Sequence, residues 1–125
     1  MKRIEVLSLN SLLNPLDTKH LGDTTMLKVL KIKSSVNDSI VKIESDKKLF
    51  TDETKPDEFV EGIELTDELK NKWESKFQPV YGAYLVEDSD LVFNKLSDTE
   101  FVELTKGAEL TVETLTLLYN YLVKC

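Results

Sequence analysis

The sequence predicts an α+β domain with a mainly antiparallel sheet and two helices. Residues 4–9 form a short apolar run, and residues 39–44 alternate apolar with polar side chains, as strands do. Two segments with helical spacing follow residues that favour helix N-caps, Thr66 and Thr111. With 125 residues, of which 41% are hydrophobic, the chain is expected to fold as one domain over residues 1–125.

The N-terminal half predicts strands and a flexible segment. Residues 4–9 are interpreted as a central strand, because a strand buried on both faces is apolar throughout. Residues 26–33 and 39–44 flank a polar linker of hairpin length, residues 34–38, and together predict a β-hairpin. Residues 45–58 carry just two apolar side chains and a Pro, which predicts a mobile acidic arm on the surface.

The C-terminal half predicts a short strand, a helix and a meander. Residues 59–65 are expected to add the strand, and a helix over 67–77 then begins at Thr66 and ends before Pro79. Apolar side chains every four residues give this helix a narrow stripe of Leu69, Trp73 and Phe77, which is expected to face the core. The three-stranded meander is predicted over residues 80–86, 91–96 and 101–104.

A final helix over residues 112–124 predicts an interface. Its core face repeats at helical spacing through Leu115, Leu118, Tyr119 and Leu122. Leu117 and Tyr121 point roughly the opposite way, so the helix has a second apolar strip. This strip predicts a homo-oligomer or a target interface, unless another segment, such as residues 45–58, covers it within the monomer.

The net charge of −7 argues against nucleic acid as a direct partner, and Arg3 is the one arginine among 16 basic residues. Carboxylates concentrate in residues 50–68 and 87–113, which predicts a docking surface for a basic or nucleic-acid-binding protein. The alternative is an ordinary solvated surface. The candidate partner-binding carboxylates are Asp52, Glu53, Asp57, Glu58, Glu87, Asp88 and Asp90.

Few residues suggest catalysis. With one His and one Cys far apart and four isolated glycines, we expect no enzyme, no metal site and no cofactor. A weaker alternative is an enzyme in which Asp17 or Asp23 orients His20 as a general base. Another alternative is a module that binds a small, nucleotide-like ligand between the loop carrying His20 and a strand carrying Tyr81 and Tyr84.

The favoured function is a non-enzymatic interaction protein, either an acidic oligomeric adaptor or a small inhibitor that covers a site on another protein. Glu5 interrupts the N-terminal apolar run, so no signal peptide is expected. No stretch reaches the roughly 18 apolar residues of a membrane span, which predicts a soluble, cytoplasmic protein without a membrane partner. Scarce Arg, Ala, Gly and Pro beside abundant Lys and Leu suit a low-GC bacterium, its phage or a mobile element.

Overall fold

The structure is a computed structural model that describes residues 1–60 and 62–124. Every regular element in those residues is a helix, and their one β-type contact is an isolated antiparallel bridge between Lys2 and Asp88. The predicted α+β fold with an antiparallel sheet is therefore wrong. The elements are α1 (Arg3–Leu13), α2 (Asp23–Glu53), α3 (Asp67–Leu85), α4 (Asp98–Thr105), α5 (Val112–Tyr119) and a terminal π-helix (Asn120–Lys124).

The apolar run over residues 4–9, predicted as a central strand, lies in α1. The buried side chains Val6, Leu9 and Leu13 recur three and four residues apart and therefore share one helix face. The Glu5 carboxylate accepts a hydrogen bond from the backbone N–H of Lys2 at 2.9 Å, which satisfies an amide at the helix start. An apolar run this short fits either a strand or a buried helix, so its periodicity could not decide.

Residues 26–44, predicted as a β-hairpin, belong to α2, a single helix of 31 residues. The predicted turn at 34–38 is helical, because no Gly or Pro interrupts the segment. The apparent alternation over 39–44 comes from the border between two helix faces, where Ile43 is 3% exposed and Val41 is 57% exposed. The buried positions of the helix are Thr25, Val29, Ile32, Val36 and Ile43.

The start of α3 is predicted correctly, but its end is not. The Thr66 hydroxyl accepts a hydrogen bond from the backbone N–H of Leu69 at 3.3 Å, as an N-cap does. The helix then runs through Pro79 to Leu85. Pro79 has no backbone N–H, so one hydrogen bond of the helix is missing at this position. Because Pro79 is exposed, water can take the place of that hydrogen bond.

The predicted meander does not form. Residues 80–85 lie in α3, residues 91–96 run without helix or strand pairing, and residues 101–104 lie in α4. The start of α4 is a capping box. The Ser97 hydroxyl accepts the backbone N–H of Glu100 at 3.2 Å, and the Glu100 carboxylate accepts the backbone N–H of Ser97 at 2.8 Å.

The predicted C-terminal helix is present, with a change of pitch. The Thr111 hydroxyl accepts the backbone N–H of Thr114 at 3.2 Å, as predicted for an N-cap. After Tyr119 the chain continues as a π-helix, and Leu118 and Leu122 are fully buried. Cys125 lies outside the described residues.

The core forms around α1, which packs mainly against α2 and also contacts α3 and α5. The extended segment after α3 joins this core through Leu96, whose backbone N–H donates to the Leu122 carbonyl at 2.8 Å. The buried hydrophobic residues are Val6, Leu9, Leu13, Leu16, Leu21, Val29, Ile32, Val36, Ile43, Tyr84, Leu96, Phe101, Leu104, Leu118 and Leu122.

The far end of α2 extends beyond α1. At 1.5 Å per residue, the 31 residues of α2 span about 46 Å and the 11 residues of α1 about 16 Å. The start of α1 lies beside Tyr84, because the Arg3 guanidinium donates to the Tyr84 carbonyl at 2.9 Å, and the Tyr84 hydroxyl donates to Asp46 at 2.6 Å. Beyond Asp46, α2 packs beside α3. We call residues 47–60 and 62–77 the helical hairpin.

The tip of the helical hairpin differs from its predicted structure. The segment over residues 45–58, predicted as a mobile acidic arm, continues α2 as far as Glu53 before the chain turns. The described residues of the predicted strand over 59–65 form loop and turn instead. Glu61, in the middle of that strand, lies outside the described residues.

Candidate interaction site

The helical hairpin contains an apolar groove between the last turns of α2 and the first half of α3. Its volume is about 250 Å³. Leu65, Trp73 and Phe77 provide the apolar lining, two of them from the stripe that the sequence placed on one face of α3. The polar lining residues are Lys47, Thr51, Lys70 and Glu74.

Trp73 is held in a fixed position within the groove. Its indole N–H donates to the Thr51 carbonyl at 2.9 Å, which ties α3 to α2. The ring of Phe59 packs against it, with 5.6 Å between the ring centroids. The indole is partly exposed and its polar atom already has a partner, so it offers the groove an apolar surface.

A row of aromatic rings connects the groove with the core. Phe77 stacks on Tyr81 at 5.1 Å between centroids, and Tyr81 stacks on Tyr84 at 6.3 Å. Burial and the hydrogen bond to Asp46 raise the pKa of Tyr84 to about 12. The row runs along α3, and its last ring is bonded to α2 through the hydrogen bond from Tyr84 to Asp46.

Leu65 lines the groove and remains exposed, and the helical hairpin exposes further large apolar side chains outside the groove lining. Leu65 is 42% exposed, Ile63 49%, Val60 50% and Leu49 55%. All four lie in the helical hairpin, at or close to its tip. A groove with an open apolar lining, to which the exposed Leu65 contributes beside Trp73 and Phe77, is typical of a surface that binds another molecule.

Lysines border the groove in an otherwise acidic chain. The Lys47 ammonium lies 5.4 Å from the centroid of the Tyr81 ring, and Lys70 and Glu74 complete the charged rim. The groove therefore carries two positive charges and one negative charge, against a net charge of −7 for the whole chain. On the rim, positive charge prevails.

The predicted interface residues of the C-terminal helix lie on a different part of the molecule. Leu117 is 45% exposed on α5. Tyr121 is half-buried beside Phe93 and Met1 in a cavity of about 480 Å³, and burial raises its pKa. The two side chains therefore differ in accessibility, and Leu117 is the one that offers an open apolar surface.

The predicted acidic docking residues fall into two groups. Asp52, Glu53, Asp57 and Glu58 are exposed near the tip of the helical hairpin. Of these, Glu58 forms an ion pair with Lys72, and this hydrogen bond lowers its pKa.

The second group follows α3 and packs against the N-terminal residues. Glu87 lies 3.5 Å from the Arg3 guanidinium, and Asp90 forms a 2.9 Å ion pair with Lys42 that lowers its pKa. Asp88 forms the backbone bridge described above. Glu87 and Asp90 thus already have cationic partners within the chain.

The structure does not bring together the predicted ligand-binding residues. His20 donates from its ring to the Glu103 carbonyl at 2.8 Å, at the start of α2. The Tyr84 hydroxyl donates to Asp46, much further along α2. Asp46 lies 21 residues after Thr25 in the first turn of that helix, and 21 residues correspond to about 31 Å along the helix axis. A pocket shared by His20, Tyr81 and Tyr84 is therefore ruled out.

Glu103 binds the residues on either side of the start of α2, next to His20. Its carboxylate accepts the Gly22 backbone N–H at 2.6 Å and the Thr25 hydroxyl at 2.9 Å, so that α4 caps α2. These hydrogen bonds lower the pKa of the Glu103 carboxyl. The contacts of His20 and Glu103 thus hold the start of α2 against α4.

In the described part of the chain, no His, Cys, Asp and Glu side chains cluster as a metal site would require. No helix there combines the length and the apolar character needed to cross a membrane. Comparison with known proteins finds no matching family model, no similar curated protein and no similar solved structure. The geometry of the groove is therefore the basis for a functional proposal.

Sequence reasoning missed Lys47, Leu65 and Lys70 as parts of one site. The stripe of Leu69, Trp73 and Phe77 was the available signal, but it was assigned to the core. Recognising a groove there also required the helical continuation of α2 to Glu53, in place of which the sequence predicted a mobile arm over residues 45–58.

Proposed function

We propose that this chain is a non-enzymatic interaction protein, and that its groove receives apolar side chains of another protein. The observation that carries the proposal is the apolar lining of the groove, in which the exposed Leu65 accompanies a Trp73 whose indole N–H is bonded to the Thr51 carbonyl. Surfaces of this kind, with an aromatic anchor in a preformed groove, supply most of the binding free energy in many interfaces.

The rigidity of the groove supports this function. The Trp73 indole is bonded to α2 and the Phe77 ring is stacked on Tyr81, so little side-chain freedom remains to be lost on binding. Each large apolar side chain that becomes fully buried contributes about 1.5–3 kcal/mol before ordering costs. A few such side chains suffice for specific, reversible binding.

The contacts of the predicted catalytic residues favour binding over catalysis. His20 donates to the backbone of Glu103, and the Asp17 carboxylate accepts the backbone N–H of Lys19 at 2.9 Å. Asp23 lies in the first turn of α2, where a carboxylate stabilises the helix dipole. Each of these groups has a structural role that accounts for its position.

A photoreactive amino acid in place of Leu65 tests the proposal. In cells of the native source, we expect the Leu65 position to crosslink one predominant protein, either a distinct partner or a second copy of the chain. The matched control replaces Leu27, which is 55% exposed on the first half of α2, and should yield little of that product. Equal yields at the two positions, or no adduct from Leu65, would contradict the proposal.

A further inference from the structure

A second exposed surface complements the groove in both charge and apolar character. Val112 is 79% exposed and Leu117 is 45% exposed on α5. The exposed Glu113 lies between them around the helix, and the exposed Glu109 precedes the N-cap by two residues. We call these four residues the α5 face.

The α5 face is acidic where the groove is basic. It carries two carboxylates beside two apolar side chains, whereas the groove presents Lys47 and Lys70 beside Trp73 and Phe77. An acidic, apolar surface is attracted to a basic, apolar one, and like charges would repel any wrong alignment. Glu74 on the groove rim would weaken this attraction without reversing it.

We infer that the groove of one copy binds the α5 face of a second copy of this chain. In this arrangement, Lys47 and Lys70 approach Glu109 and Glu113, and Leu117 enters the groove beside Trp73. The inference rests on the proposed function in one respect, that the groove binds protein. It adds the identity of the partner.

The arrangement determines the type of assembly. The groove belongs to the helical hairpin and the α5 face to residues 109–117, so the two surfaces of one contact are different. Such heterologous contacts join copies head to tail, and they build a closed ring or an open chain. Self-association should therefore increase with protein concentration, pass beyond a dimer and weaken as salt screens the charges.

Two variants test the assembly, each blocking one surface. The groove variant is Lys47→Glu with Lys70→Glu, and the face variant is Val112→Glu with Leu117→Glu. We expect each variant alone to self-associate at least about tenfold more weakly than the wild type in sedimentation velocity, because each contact then opposes like charges or buries a carboxylate. All four positions are exposed or line the open groove, and far-UV circular dichroism verifies that the helices remain.

Mixing the two variants gives the decisive result. The face variant keeps an intact groove and the groove variant keeps an intact α5 face, so an equal mixture should form dimers that do not grow further. The control variant Lys31→Glu with Lys95→Glu makes the same charge change at exposed lysines elsewhere and should associate like the wild type. A second control adds Glu109→Lys and Glu113→Lys to the groove variant, and the exchanged charges should restore self-association.

The inference is overturned if the wild type stays monomeric at every concentration, or if the groove variant associates as strongly as the wild type. A mixture that forms no dimers, or exchanged charges that restore nothing, would overturn it equally. If Leu65 crosslinks a different protein while the chain stays monomeric, the self-association is refuted and the proposed function stands. If no crosslink forms at Leu65, the proposed function itself fails.

Discussion

Tyr84 joins three parts of the molecule through one side chain. Its hydroxyl donates to Asp46 of α2 at 2.6 Å, the Arg3 guanidinium lies 4.0 Å from the centre of its ring, and the Phe50 ring packs edge to face with it at 5.0 Å between centroids. The sequence interpretation placed Tyr84 in a strand as a ligand contact. Its hydrogen bond is instead structural and anchors the base of the helical hairpin.

Replacing Tyr84 with Phe should lower the free energy of unfolding by about 1 kcal/mol at neutral pH, because the hydrogen bond to Asp46 is lost. Burial and this bond raise the pKa of Tyr84 from 10.0 to about 12 in the folded chain, so the neutral hydroxyl is favoured by folding. That stabilisation is complete below pH 10 and disappears as the pH rises towards about 12.

The measurement is urea unfolding of the wild type and of Tyr84→Phe from pH 7 upwards. The difference between the two should be constant up to about pH 10 and then shrink. Every other ionisable group is common to both proteins, so its effect on stability cancels in the difference. A difference that grows with pH would contradict the assigned hydrogen bond.

At the scale of the element, a substitution at Gly82 distinguishes the predicted strand over residues 80–86 from the observed helix. It lies inside α3, and a Cβ atom built on it meets no atom within 4 Å. Gly82→Ala should therefore stabilise the protein by about 1 kcal/mol, because alanine favours a helix over glycine and nothing clashes. In a strand with a bulge or close backbone packing, the same change would destabilise it.

Gly107 provides the matched control. A Cβ built there also meets no atom within 4 Å, but the backbone has φ +78°, a conformation that side chains disfavour. Gly107→Ala should therefore destabilise by about 1 kcal/mol. Thermal unfolding of both variants checks the pair, and a loss of stability in both would contradict the helical position of Gly82.

Helix starts were predictable because their chemistry is local. Thr66 and Thr111 cap the helices that the sequence assigned to them, and each acts through a backbone N–H three residues away. The capping box at Ser97 was equally visible, but residues 97–100 fell between two strands of the predicted meander. Apolar runs such as residues 4–9 are ambiguous, since tertiary contacts decide between strand and helix.

The site was harder to predict, because it depends on two elements packing together. The narrow stripe through Trp73 and Phe77 was recognised, but its partner on α2 was assigned to a mobile arm. Lys47 and Thr51 join that stripe through the continuation of α2, a long-range feature of the fold. Neither residue carries a local signal of its role.

For the whole molecule, the structure separates a packed body from the helical hairpin that carries the groove. The core residues of α1, α2, α4 and α5 form the body, whereas the helical hairpin is stabilised by its own aromatic contacts. The groove brings apolar side chains and two lysines together on a chain with a net charge of −7. This division is expected for a protein that works by binding others.

Hydrogen–deuterium exchange on the wild-type chain, alone and with the protein that Leu65 crosslinks, tests this account most directly. The account predicts that binding slows exchange in residues 47–51 and 65–77, while α4 changes little. If that protein is a second copy, residues 109–117 should also be protected. Protection confined to the extended segment at residues 90–96 or to the first half of α2, with none in the helical hairpin, would contradict it.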